Sequence, residues 1–273
     1  VACVALTAAT TFGHEGDTLV TSLGGKLITG TYDDDNNTAA APHSVFLGEV
    51  VPTGGPGAPY EAEAPGSPGF RAASQTFLDN IASMDPAGVY TALPGSTNLE
   101  FDFLPMSIGP NTRNLFFWDG VGSVNFTPVA SDYELSLIKF GGGGFTETIT
   151  GSDASVITGN NIQTTTSAGA VHTHLFAQLD INDAGTDDPA QGFYLFSLQF
   201  RMTGLDTSDP AFYIFGAYDP ATLTGPALEE FEEAHELAEV WVEANLVPEP
   251  STAIMAAMAL AGLIGFRRRK RAC

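Results

Sequence analysis

The chain has 273 residues, a net charge of −22, two cysteines and 44% hydrophobic residues. All 32 acidic residues precede Ser251, where only Lys26, Arg71, Arg113, Lys139 and Arg201 offset them, so phosphate backbones are repelled and nucleic acid is excluded as a partner. Cys3 and Cys273 lie at opposite ends, which excludes a disulfide, a thiol nucleophile or a cysteine–zinc site in residues 14–246 and leaves core burial to hold them.

In chain order, Val1 to Ala9 (VACVALTAA) is apolar and rich in small residues. It resembles the back half of a secretory signal, with cleavage after Ala9 or after Gly13, so that residues 1–13 are a signal remnant. The body expected from residues 14–246 is strand after strand. The segments Thr18–Leu23, Lys26–Tyr32, Ser44–Val51, Leu99–Leu104, Asn114–Trp118 and Tyr133–Phe140 are rich in aromatic and β-branched residues. Phe145–Thr150, Val171–Ile181, Phe193–Met202 and Phe212–Tyr218 continue the pattern, with Gly, Asn, Asp and Pro between them. Leu23-Gly24-Gly25-Lys26 reads as a two-residue hairpin. Residues 51–70 read as a Pro/Gly-rich loop. In Phe193–Met202, Tyr194, Phe196, Leu198 and Phe200 alternate with Leu195, Ser197, Gln199 and Arg201, placing the two sets on opposite faces. The expected class is all-β, an antiparallel β-sandwich of jelly-roll type.

Two stretches carry ligand chemistry. Asp180, Asn182 and Asp183, with Asp187 and Asp188, open like a calcium loop, but Ala184 fills a ligand position and Gln191 replaces the closing glutamate. His172-Thr173-His174 lies in a predicted strand, where side chains two apart share a face, so both imidazoles can meet one copper or zinc ion. A third ligand is required. The candidates are His14, which would offer ring and amine if cleavage follows Gly13, and His235 on the one predicted helix. That helix starts with Pro226 at its first turn and carries Leu228, Phe231, His235, Ala238 and Val242 at helical spacing. Glu229, Glu230, Glu232 and Glu233 load its positive end.

The last 27 residues, 247–273, differ from everything before them. Val247-Pro248-Glu249-Pro250 is extended and cannot be helical, and Thr252 to Phe266 is an unbroken run of 15 small or apolar residues. A helix of that length spans about 22 Å, short of the roughly 30 Å hydrocarbon core. Arg267, Arg268, Arg269, Lys270 and Arg271 follow at once and stay on the cytoplasmic side. The bulk of the chain is therefore expected outside the inner membrane, which it engages transiently through this short single transmembrane helix.

This three-part tail resembles the PEP-CTERM sorting signal. The resemblance implies recognition by an exosortase near Pro248-Glu249-Pro250 and release or transfer of the body to the cell surface or extracellular matrix. The body also loosely resembles secreted sorting-tail proteins that begin His-Gly-Asp and carry a His-x-His strand; here the start is His14-Glu15-Gly16-Asp17. No G-x-S-x-G elbow or phosphate-cradling loop is present, and His235-Glu236-Leu237-Ala238-Glu239 lacks the second histidine of H-E-x-x-H. Three readings stand at this point. The first is a non-enzymatic surface or matrix protein that binds extracellular polysaccharide. The others are a secreted metal-binding protein using His172 and His174, and a polysaccharide hydrolase using paired carboxylates.

Overall fold

A computed structural model describes residues 16–33, 36, 38–63, 66–80, 90–182 and 187–248. Two sheets face each other. The smaller has the order Val171–His174, Gly69–Ala72, Asp17–Leu23, Lys26–Asp33, Thr38–Ala40. The larger is built around Gly192–Arg201, with Ala211–Ala217 along one edge. Phe116–Trp118 and Asn98–Leu104 share its other edge. Beyond Ala211–Ala217 the sheet continues through Val45–Pro52, Tyr60–Glu61, Phe176–Ile181 and Tyr133–Lys139 to Phe145–Thr150.

The aromatic alternation of the central strand explains the layers. Tyr194, Phe196, Leu198 and Phe200 enter the core between the sheets, with Val20, Phe70, Ala72 and Val171 of the smaller sheet. Phe193 and Leu195 point the other way and are covered by a helix, α2 (Pro226–Asn245). A strand buried on both faces needs a near-continuous apolar run, and FYLF supplies it. At α2's start Gly225 takes a positive φ of 59°, and Pro226 follows in the first turn, where its missing N–H costs nothing. The α2 face that packs is Phe231, Ala234, His235, Ala238 and Val242; Leu228 is only half-buried. The helix thus lies over a face of the larger sheet, rather than over an end or edge of the sandwich.

The Leu23–Lys26 hairpin has the positive φ angles its glycines permit, 61° at Gly24 and 88° at Gly25. Other details differ from the sequence expectation. Asp17–Leu23 with Gly69–Ala72, and Ala211–Ala217 with Val45–Pro52, are parallel pairs within an otherwise antiparallel framework. Long intervening stretches of chain supply the crossovers that such pairs need. The predicted strand 171–181 breaks at the fully buried Leu175, so that Val171–His174 and Phe176–Ile181 join different sheets. Leu175 N–H donates to Pro68 C=O at this corner. Ile157–Thr164 is a further strand whose polar sequence hid it, and α1 (Gln75–Asn80) is a short additional helix.

His235 belongs to the α2 interface. Its ring lies tilted against Phe193, with centroids 5.0 Å apart, and Nε2 donates to Ile214 C=O at 2.9 Å. Burial pushes its pKa down from 6.5 to about 4, against the smaller upward pull of the carbonyl. Between those values the unfolded chain binds the extra proton and the folded chain does not, so stability falls as pH drops through this window by up to about 3 kcal/mol. Glu49, Glu232 and Glu239 are shifted up, chiefly by burial, and oppose this trend by taking protons more readily when folded. They are common to a His235→Gln variant. Urea melts at pH 6.5 and pH 4.5 should therefore show a smaller acid loss in the variant than in the parent chain; equal losses would remove His235 as the cause. A second prediction concerns Gly48, where an added Cβ would lie 2.5 Å from the ring of the buried Phe215. Gly48→Ala should cost about 1–3 kcal/mol in the same assay by overpacking.

Candidate functional site

The smaller sheet brings two of the predicted histidines to a carboxylate. In its register His174 lies beside Gly69, and His172 beside Arg71. Gly69–Ala72 in turn runs parallel to the first strand, with Thr18 beside Phe70 and Leu19 beside Arg71, so Asp17 falls next to Gly69. Asp17, Gly69 and His174 therefore form a row across three strands. The middle member has no side chain. A Cβ at Gly69 would sit 1.9 Å from Asp17 Oδ1 and 3.0 Å from His174 Cε1, so the glycine opens the gap over which the outer two converge. His172 reaches the same place from two residues earlier on the same face.

The distances define a compact cluster. His172 Nε2 lies 3.2 Å from Asp17 Oδ2, and His174 Nε2 lies 4.0 Å from Asp17 Oδ1. One ligand atom from each of the three residues falls within 4.8 Å of the other two. The Asp17 side chain is 6% exposed, His174 23% and His172 52%, so the cluster is closed beneath and open to solvent on the His172 side. His174 Nδ1 is 3.0 Å from Gly66 C=O, which can only accept, so Nδ1 carries a hydrogen. On the opposite face, Thr18 Oγ1 bonds Tyr213 OH at 3.0 Å and Phe70 packs edge-on against Phe200, which fixes the strands beneath the cluster. On the cluster's own face the Arg71 guanidinium stacks 3.9 Å over the ring of Tyr32.

Of the other predicted ligands, the described ones stand elsewhere. His235 is held in the α2 interface on the larger sheet, its Nε2 engaged by Ile214, and so does not serve as the third ligand. His14 lies outside the described residues. Asp17 is the third member of the cluster; it stands at the start of the first strand, and its place beside the histidines depends on a parallel pairing that no local pattern announces. In the acidic loop, Asp180 Oδ1 accepts from Ile181 N–H, Asn182 Nδ2 donates to Glu134, and Asp188 Oδ1 accepts from Gly57 N–H at 2.7 Å. Asp183 is outside the described residues. Among the described residues Asp180, Asp187 and Asp188 do not form a converging cluster of the kind made by Asp17, His172 and His174. A cavity of about 260 Å³ lies beside the end of α2, against Leu104, Met106, Ser197, Phe212, Asn245 and Leu246. No carboxylate lines it, so it does not have the makings of a glycosidase cleft.

The end of α2 leads into the tail. Leu246 caps the helix, its N–H donating to Val242 C=O at 2.8 Å, and Val247 N–H reaches the same carbonyl at 3.3 Å. Both side chains pack against the core beneath α2. Val247 and Pro248 are the last described residues; Glu249, Pro250, the apolar run and Arg267 to Arg271 lie outside them. Among the described residues no helix is long and apolar enough to cross a membrane.

Comparison with curated proteins and with solved structures finds no match to the chain. A family model for the PEP-CTERM protein-sorting motif matches residues 246–271, the stretch that begins at the cap of α2. Residues 246–271 thus carry a PEP-CTERM sorting motif, the mark of exosortase targets, directly behind a β-rich body.

Proposed function

We propose that this chain is exported across the inner membrane, cut by an exosortase near Val247-Pro248-Glu249-Pro250, and left at the cell surface or in the extracellular matrix. There residues 14–246 serve a structural or binding role without catalysis. The observation that carries this reading is the sorting motif at 246–271, which starts directly at the cap of a helix packed on the folded body. The physical character of the tail supports it. A 15-residue apolar run holds a chain in the bilayer weakly, while five basic residues stop it from passing through. Such a segment positions a cleavage site and does not make a lasting anchor. The strongly acidic body supports it further, since a highly charged surface stays solvated and monodisperse once released.

Intact mass of the exported protein, produced in a host with an active exosortase, tests the reading. The mature form should lack Arg267 to Cys273, and in a strain without the exosortase the chain should stay in the membrane fraction with its tail attached. Replacing Pro248 and Pro250 together by alanine should slow the cut, because the segment then joins the end of α2 instead of staying extended. Exported protein that keeps its tail in the exosortase-positive host would sink the proposal.

A further inference from the structure

We infer that Asp17, His172 and His174 form a divalent transition-metal site, with zinc as its first occupant and copper, nickel or cobalt as alternatives. Spacing is the first support. A zinc ion sits about 2.0–2.2 Å from imidazole nitrogen and carboxylate oxygen. Ligand atoms already within 4.8 Å of one another therefore reach it through small side-chain rotations, with no movement of the three strands.

The second support is the way His174 is held. With its Nδ1 hydrogen given to Gly66 C=O, a neutral His174 ring presents a bare lone pair at Nε2 toward the Asp17 carboxylate. Two acceptors that face each other repel, and a metal ion between them turns that repulsion into attraction, as a proton or bridging donor also would. A metal-ligating histidine commonly has this arrangement, its second nitrogen fixed by a backbone carbonyl so that the tautomer and ring direction are set. The third support is the cradle at Gly69, where any larger residue would displace Asp17 Oδ1.

The donor set selects the metal. Two imidazoles and one carboxylate suit zinc and its neighbours, whereas calcium and magnesium prefer oxygen throughout. Three protein ligands leave at least one position for water, and the half-exposed His172 puts that position on the solvent side. The site ties Val171–His174, at the edge of the smaller sheet, to the first strand across Gly69–Ala72. Metal binding therefore joins strands that share no hydrogen-bond ladder with each other.

The test uses the full chain purified without a histidine tag, stripped with chelator and dialysed. Calorimetric titration with zinc chloride should give one equivalent bound, unaffected by millimolar calcium. Cobalt chloride should produce a visible d–d absorption band that zinc bleaches. His172→Ala, at a half-exposed position whose loss leaves the core intact, should weaken zinc binding at least about tenfold, and His172→Ala with His174→Ala should abolish it. Gly69→Ala should weaken it while leaving all three ligands in the sequence. Circular dichroism of the stripped variants separates loss of the site from loss of the fold. Wild-type protein that binds no zinc after stripping, or the same zinc affinity in folded His172→Ala and wild type, overturns the inference. In that case His172 is only an ion-pair partner of Asp17. Either result leaves the processing experiment unaffected.

Discussion

The hydrogen bond between Tyr213 and Thr18 is the constraint on which the arrangement of the body turns. The Tyr213 ring is stacked between Phe46 and Phe196, with centroids 5.1 and 5.3 Å away, in the core between the sheets. A phenol hydroxyl buried there needs a partner, since leaving it without one costs on the order of 1–3 kcal/mol. Thr18 is the group that meets it, which fixes the first strand over the larger sheet at one register. Burial keeps the hydroxyl protonated far above its ordinary range, so this link does not change with pH in any physiological setting. With Thr18 facing inward, the alternation of the strand turns Asp17 outward. The inner-face bond thus decides where the outer-face carboxylate stands.

Charge is distributed by the same logic. The body carries a large negative excess, and seven of its glutamates lie on α2, among them the half-buried Glu232 and Glu239. Burial, and after it the charges of Glu232 and Glu63, raise the proton affinity of Glu49, while the hydrogen bond from Tyr218 opposes them. The buried His235 sits under the same helix as a neutral donor. Holding it neutral avoids an uncompensated charge in an apolar interface, at the expense of sensitivity to acid.

Much of this was legible in the sequence, because it rests on local periodicity. The alternation around Tyr194 to Phe200, the Gly24-Gly25 turn, the helix opened by Pro226 and the three-part tail are patterns within short windows. The fate of His235 was misread for a related reason. Helical spacing placed it among Phe231, Ala238 and Val242, and a histidine on an apolar face is normally a core residue with a satisfied hydrogen bond, as it is here. The candidate cluster was half legible. His172 and His174 share a face in any strand, whereas Asp17 is more than 150 residues away in sequence. It joins them only because Gly69, in a stretch that reads as a Pro/Gly-rich loop, forms a strand between the two. A glycine whose value lies in what it does not occupy leaves no local signature.

The junction between body and tail adds a geometric constraint that neither part has alone. Leu246 and Val247 belong both to the matched sorting motif and to the packing beneath α2. The last packed side chain, the half-buried Val247, directly precedes Pro248. Pro248 therefore stands two residues beyond the cap of α2. Pro248 keeps the helix from extending further, and Val242, Leu246 and Val247 hold its end against the body. The sharpness of that boundary follows from ordinary helix capping and proline sterics. It separates a fold that depends on aromatic burial from a tail whose information lies in its order of proline, apolar and basic residues.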